Sequence, residues 1–297
     1  MQRGLLVVAL VLSACAHKPP PPPPAPPPPP PPKGELLRLK PKAGEALRSH
    51  VKLLIEQEVA GEQGSKRAAT KPLVLQFNFG EEETVDSVAP DGSQIISARL
   101  VDAVGQASGG ASQAMVDSMA LAFDELKVNF KRQARGEVMA IAMSGLRAPL
   151  DDKTARQVLN ALYGAQRGPL LPEERVEKGA TWKVTMAMPS MSGYEGDVHY
   201  DYTWARSDGG VAVIGGEGHA DGKKGTSKLS AKSTSEYRFD VAAGKLMSSM
   251  VDQLTQVEDT AQPASGQPVQ SAVRQHVRVE WTVDAAPNSD DNKEKQE

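Results

Sequence analysis

From residue 45 onward, apolar positions recur mainly at a spacing of two. In 47–59, Leu47, Val51, Leu53, Ile55 and Val59 share one face, and Arg48, His50, Lys52, Glu56 and Glu58 share the other. In 73–79, Leu73, Leu75, Phe77 and Phe79 alternate with Val74, Gln76 and Asn78. In 198–204, Val198, Tyr200, Tyr202 and Trp204 alternate with His199, Asp201 and Thr203. In 273–283, Val273, Val277, Val279, Trp281 and Val283 alternate with Arg274, His276, Arg278, Glu280 and Thr282. An extended chain turns successive side chains to opposite faces, so this spacing predicts strands. Clean apolar/polar alternation suits antiparallel sheets with one wet face. Asp91-Gly92, Arg135-Gly136, Asp208-Gly209-Gly210 and Ala243-Gly244-Lys245 lie between such runs, where hairpins require them.

Two segments change period. Met115, Met119, Ala122, Phe123 and Leu126 form a helical stripe in 112–126, and Ala155, Val158, Leu159, Leu162 and Tyr163 form another in 151–163. Asp151 or Asp152 caps the start of the second and Gly164 ends it. The predicted fold class is α+β, mostly β: one or more curved antiparallel sheets with about two covering helices. Lys42-Ala43-Gly44-Glu45-Ala46-Leu47-Arg48 parallels Glu177-Lys178-Gly179-Ala180-Thr181-Trp182-Lys183. That weak repeat suggests two similar halves, 34–148 and 165–285, joined by helix 151–164. Hairpins converge on such patterns without duplication.

The amino-terminal residues follow a different plan. Arg3 precedes the apolar run Leu5 to Leu12, the pattern of a secretory signal over 1–14. The run is too short to cross a bilayer, which takes roughly 20 residues. Next comes Leu12-Ser13-Ala14-Cys15, containing the one cysteine of the chain. This tetrapeptide resembles the lipobox of bacterial lipoproteins. The resemblance implies cleavage before Cys15, a diacylglycerol on its thiol and an acyl group on its new amino terminus. Ala16, rather than aspartate, implies the outer membrane more than the inner by the sorting rule of Gram-negative lipoproteins. Residues 19–32 are proline except Ala25. Together with Cys15 they define a lipidated spacer over 15–33, in which residues 19–32 form a polyproline rod that reaches about 43 Å. The soluble domain is predicted over 34–285 and a disordered polar tail over 286–297.

The net charge of −3 leaves no basic excess for nucleic acid. One cysteine excludes an intramolecular disulfide. Catalytic signatures are sought without success. Ser190 and Ser192 lack the glycine two positions before that a nucleophile elbow needs. There is no His-Glu-x-x-His. In the glycine-rich stretch 215–225, Gly218 to Gly222 is one residue short for a phosphate loop, and Asp221 occupies the third glycine position of a dinucleotide fingerprint. The stretch reads as a flexible hairpin loop. Glu81-Glu82-Glu83 and Glu173-Glu174 read as solvated loop carboxylates. Neither catalytic residues nor a cofactor are predicted.

Two binding chemistries remain. Trp182, Tyr200, Tyr202, Trp204 and Trp281 form the best candidate face for an apolar ligand, with Met186, Met188 and Met191 nearby as adaptable filler; a filled core is the plainer alternative. His50, His199 and His276 all occupy polar strand faces and are weak candidates for a metal site. Leu170-Leu171-Pro172 through Val176, Gly179 and Trp182, after a capped helix, resembles an element recurring in bacterial lipoproteins to which no activity is attached. The sheet-and-helix layout loosely resembles lipoprotein-carrier domains. The expected function is a non-enzymatic, membrane-anchored binding or interaction module of the cell envelope. Its expected partners are the membrane, through the lipid anchor, and envelope proteins or a hydrophobic ligand. The alternatives are a periplasmic carrier or chaperone for acyl chains, and an unrecognised hydrolase.

Overall fold

The computed structural model describes residues 33–60, 71–124, 126–145, 167–188, 193–261 and 269–284. All lie in the unit Lys33–Glu297. The second unit, Met1–Pro32, holds the expected signal segment, Cys15 and the proline run and lies outside the described residues, as do the second expected helix and the polar tail.

Eleven strands form one antiparallel sheet. They are β1 (Ala46–Ala60), β2 (Leu73–Val88), β3 (Gln94–Gly109), β4 (Lys127–Arg132), β5 (Val138–Ser144), β6 (Thr181–Ala187), β7 (Glu195–Asp208), β8 (Val211–Lys224), β9 (Ser227–Asp240), β10 (Lys245–Ala261) and β11 (Val269–Val283). Their spatial order is β5-β4-β3-β2-β1-β11-β10-β9-β8-β7-β6. Sequential strands are neighbours everywhere except between β5 and β6, which form the two edges, while β1 and β11 pair at the centre. At 17 residues β10 spans about 56 Å, far beyond an ordinary strand.

The expectation of an α+β layout with about two covering helices is overturned. The described residues form one mostly-β sheet with a single helix, α1 (Gln113–Phe123). Helix α1 packs on β3 and β2. Phe123 meets Phe77 edge to face, with ring centroids 5.5 Å apart. The Gln113 side chain ties the first turn to β3, accepting from the Ala107 N–H at 2.8 Å and donating to the Gly105 carbonyl at 3.0 Å. Gly105 is the seat of the helix, because a Cβ there would strike Val116 and Phe77. The buried stripe runs through Val116, Met119, Ala120, Ala122 and Phe123. Met115, expected on it, is exposed. The three-residue step from Val116 to Met119 turns the helix slightly from the predicted face.

Register sets two faces. The inner face carries Val51, Leu53 and Ile55 of β1, which stand opposite Phe79, Phe77 and Leu75 of β2 and Trp281, Val279 and Val277 of β11. It continues through Val251 of β10 and Tyr237 of β9 to Ile214 of β8, then Tyr202 and Trp204 of β7. Two buried clusters occupy this face, one under α1 and one on β7–β10, with Leu246 touching both. Each fully buried Phe or Leu in them contributes about 1.5–3 kcal/mol.

Candidate functional site: the interior of the rolled sheet

At one end of the strands, a short segment reaches elements at opposite edges of the sheet. The Leu170 carbonyl accepts from Trp182 Nε1 of the edge strand β6 at 2.7 Å. The next residue, Leu171, exchanges bonds with Arg135 in the β4–β5 turn: its N–H donates to the Arg135 carbonyl, and the Arg135 guanidinium donates back, both at 2.8 Å. Adjacent residues lie within about 3.8 Å along the chain, so the sheet must roll until its edges face each other here. The edges do not pair with each other.

Residues 34–40 help fill the gap between them. Glu35 pairs with Val176 through both backbone bonds, the Leu39 N–H donates to the Ala134 carbonyl, and the Lys40 N–H donates to that of Gly244. Leu37 between them is fully buried. The resulting closed end leaves a small cavity lined by Leu39, Arg132, Arg167, Leu171, Phe239 and Leu246 among others, with space for about one water.

Inside that closed end lies a buried charge cluster. Glu81 and Glu83 were expected to be solvated loop carboxylates. Instead they continue the inner face of β2 and are 2% and 4% exposed. Arg167 grips Glu81 with both terminal nitrogens and Glu83 with one. Ser49 and the Trp281 indole also donate to Glu81, at 3.2 and 3.3 Å. The Arg167 guanidinium carbon lies 5.2 Å from the Trp281 ring centroid, close enough for cation–π attraction. Burial pulls the Arg132 pKa down, against the opposing pull of Glu83. Buried charge survives only when paired and hydrogen-bonded; Arg167, Glu81 and Glu83 meet that condition, whereas Nε of the neighbouring Arg132 is buried with no hydrogen-bond partner among the described residues.

The aromatic candidates divide. Trp182, Tyr200, Tyr202 and Trp204 come together in the β7–β10 cluster, with Trp182 and Tyr200 stacked on either side of Tyr202 at 5.5 and 5.9 Å. Trp281 belongs to the other cluster. Tyr202 is fully buried, and Tyr200 and Trp204 are nearly so. Burial pushes the hydroxyls of Tyr200, Tyr202 and Tyr237 upward, so they stay neutral. Sequence reasoning missed Tyr237. It also took 215–225 for a flexible loop, whereas Val211–Lys224 is strand β8. Gly216 and Gly218 lie beneath the rings of Tyr202 and Tyr200, which fill the space a side chain would need. Glycines there make room for tyrosines, a packing role that resembles a turn signal in sequence.

At the opposite end the described residues of the inner face are less covered. Val59, Val273, Val257 and Leu229 are successive partners across β1, β11, β10 and β9. Val59 is 46% exposed, and the other three are half-buried. Beside them Val198 and Met186 are half-buried too. Among the described residues, the inner face is thus a trough plugged at one end and ending at the other in a partly exposed apolar row, next to the polar row Gln57, Gln275 and Thr255.

The candidate histidines do not converge. His50 stands opposite Gly80 and Thr282. His199 and His276 fall on one register line of the outer face, but β8, β9 and β10 lie between their strands, a separation of roughly 19 Å. His276 sits between two carboxylates, with Nδ1 2.9 Å from Glu56 and Nε2 2.9 Å from Asp252. Both raise its pKa, led by the Glu56 hydrogen bond. Among the described residues, no three His, Cys, Asp or Glu side chains are arranged around a metal position.

No family model and no curated protein matches the chain. Among solved structures, one described as showing lipid–protein interactions in lipovitellin aligns with 84% of this chain at 10% identity and a TM-score of 0.48. The alignment covers 26% of the lipovitellin chain, so this chain spans about a quarter of that length. An outer membrane channel from Pseudomonas putida F1 aligns with 82% of this chain and 97% of its own, at 14% identity and a TM-score of 0.28. At these scores neither match establishes a shared fold.

Proposed function

We propose that the chain is a lipid-anchored protein of the bacterial envelope, in the outer membrane by preference, whose rolled sheet binds an apolar or amphipathic ligand without catalysing a reaction. The observation that carries this reading is the partly exposed apolar row at the far end of the described trough. Val59, Val273, Val257 and Leu229 hold apolar surface half-open across four neighbouring strands. Covering such surface returns roughly 25 cal/mol per Å², which favours an acyl chain or similar occupant. The plugged end limits how deep the occupant reaches, and Arg167 there is paired with Glu81 and Glu83 within the protein. The aromatic residues support the trough wall from the core rather than touching the occupant first.

The ligand is tested on a chain secreted with a cleavable signal in place of residues 1–15, so that it carries no acyl groups of its own. Organic extraction and mass spectrometry should recover lipid at a near-equal molar ratio, and the emptied protein should take up a fluorescent fatty acid. A lipid-free preparation that also refuses the probe overturns the reading. The anchor is tested separately by labelling cells with an alkyne fatty acid. The native chain should take up label and fractionate with membranes, and the Cys15→Ser chain should do neither.

A further inference from the structure

His219 on β8 stands directly opposite His199 on β7, with ring centroids 4.9 Å apart and planes 23° from parallel. The flanking outward pairs of the same hairpin are Asp197 opposite Asp221 and Asp201 opposite Glu217. Six consecutive outward positions thus place two imidazoles between four carboxylates. Facing like charges weaken a strand pair. Lys183 relieves one, 3.2 Å from Asp201.

We propose that His199 and His219 form a cross-strand chelate for a divalent transition-metal ion, completed by oxygen from the flanking carboxylates or water. Imidazole nitrogen with carboxylate oxygen suits Cu²⁺, Ni²⁺ and Zn²⁺, with Cu²⁺ bound most tightly. A second observation favours this pair over the other histidines. His199 Nδ1 lies 3.0 Å from the Thr185 hydroxyl of β6; in the tautomer that donates from Nδ1, this contact orients the ring as an outer partner does and leaves Nε2 for the ion. His276, by contrast, has both nitrogens engaged. The two rings now stack rather than point at a common centre, so chelation requires His219 to turn. It is exposed and free to do so. Lys232, opposite His219 on β9, opposes a cation and limits the affinity.

The test is calorimetric titration of the whole purified chain with Cu²⁺ and with Zn²⁺ at pH 7.5, together with electron paramagnetic resonance of bound Cu²⁺. One ion per chain is expected, with Cu²⁺ tighter than Zn²⁺ and nitrogen coordination visible in the spectrum. His199→Ala and His219→Ala should each weaken binding about tenfold or more, while His50→Ala and His276→Ala leave it unchanged. Both substituted positions are on a wet strand face, and circular dichroism checks that the fold is retained. Absence of binding at 100 micromolar ion (roughly the upper limit of a functional chelate) overturns the proposal. So does binding that persists in both variants or is lost only in His17→Ala.

Discussion

The Arg167 guanidinium meets the Glu81 carboxylate side by side, with both of its terminal nitrogens on both of the carboxylate oxygens, deep inside the rolled sheet. The pair joins residues 86 apart in sequence and fastens the chain that follows the β5 edge onto β2. Removing the guanidinium strands Glu81 and Glu83 in an apolar interior. Arg167→Ala should therefore destabilise the protein by about 3–5 kcal/mol, read as a lower urea midpoint. Adding Glu81→Gln and Glu83→Gln to that variant should restore part of the loss, since neutral amides cost less to bury. A single variant as stable as the parent would show that the cluster contributes nothing net.

The His276 site makes stability depend on pH in a defined direction. Two carboxylates hold its folded-state pKa above the ordinary 6.5. The folded state therefore binds the proton more tightly than the unfolded chain. The stabilisation is present in full below about pH 6.5 and is lost as pH rises through the raised folded value. The site is partly exposed, so solvent and salt screen the effect. His276→Gln should remove the fall in stability that sets in as pH rises above about 6.5, and the two profiles should converge at the alkaline end of that pH window. A variant profile parallel to the parent's across that window would remove His276 as the source.

Gly215, Gly216 and Gly218 give an internal contrast on one strand. A Cβ on Gly216 would lie 2.5 Å from the Ser235 hydroxyl and 2.9 Å from the Tyr202 ring, and one on Gly218 would lie 2.7 Å from the Tyr200 ring. Gly216→Ala and Gly218→Ala should each cost about 1–3 kcal/mol. Gly215 has nothing within 4 Å, and alanine there should be neutral or stabilising by about 0.4–1 kcal/mol. Melting temperatures of the three variants decide the matter through their order.

The trough makes a similar contrast across the thickness of the sheet. Val257→Asp and Val273→Asp place charge on the half-open apolar surface and should reduce lipid recovery several-fold, with a small loss of stability. Leu254→Asp lies on the outer face at 51% exposure and should leave recovery unchanged. Equal recovery from all three would detach ligand binding from the trough.

Much of the sheet is readable from alternation alone. The runs 47–59, 73–79, 198–204 and 273–283 lie within β1, β2, β7 and β11, and the four glycine-containing turns join β2 to β3, β4 to β5, β7 to β8 and β9 to β10. Alternation reports which side chains share a face; it does not report what covers that face. For this reason Glu81 and Glu83 read as wet, although their partner Arg167 arrives from a segment remote in sequence. Gly216 and Gly218 read as a loop because the tyrosines that fill their space lie on the neighbouring strand. His219 went unremarked because its significance is a register relation to His199, and register depends on where the hairpin turns.

The pairing of β1 with β11 has a consequence for assembly. Glu56 and His276, joined across that seam, are 220 residues apart. The strand that completes the middle of the sheet is therefore the last of the described strands to be synthesised. Until it arrives, the two flanking arrays hold unpaired inner borders, and contacts this remote in sequence form slowly. Newly made chains must pass through that incomplete stage, and chaperones that shield open strands would matter most there.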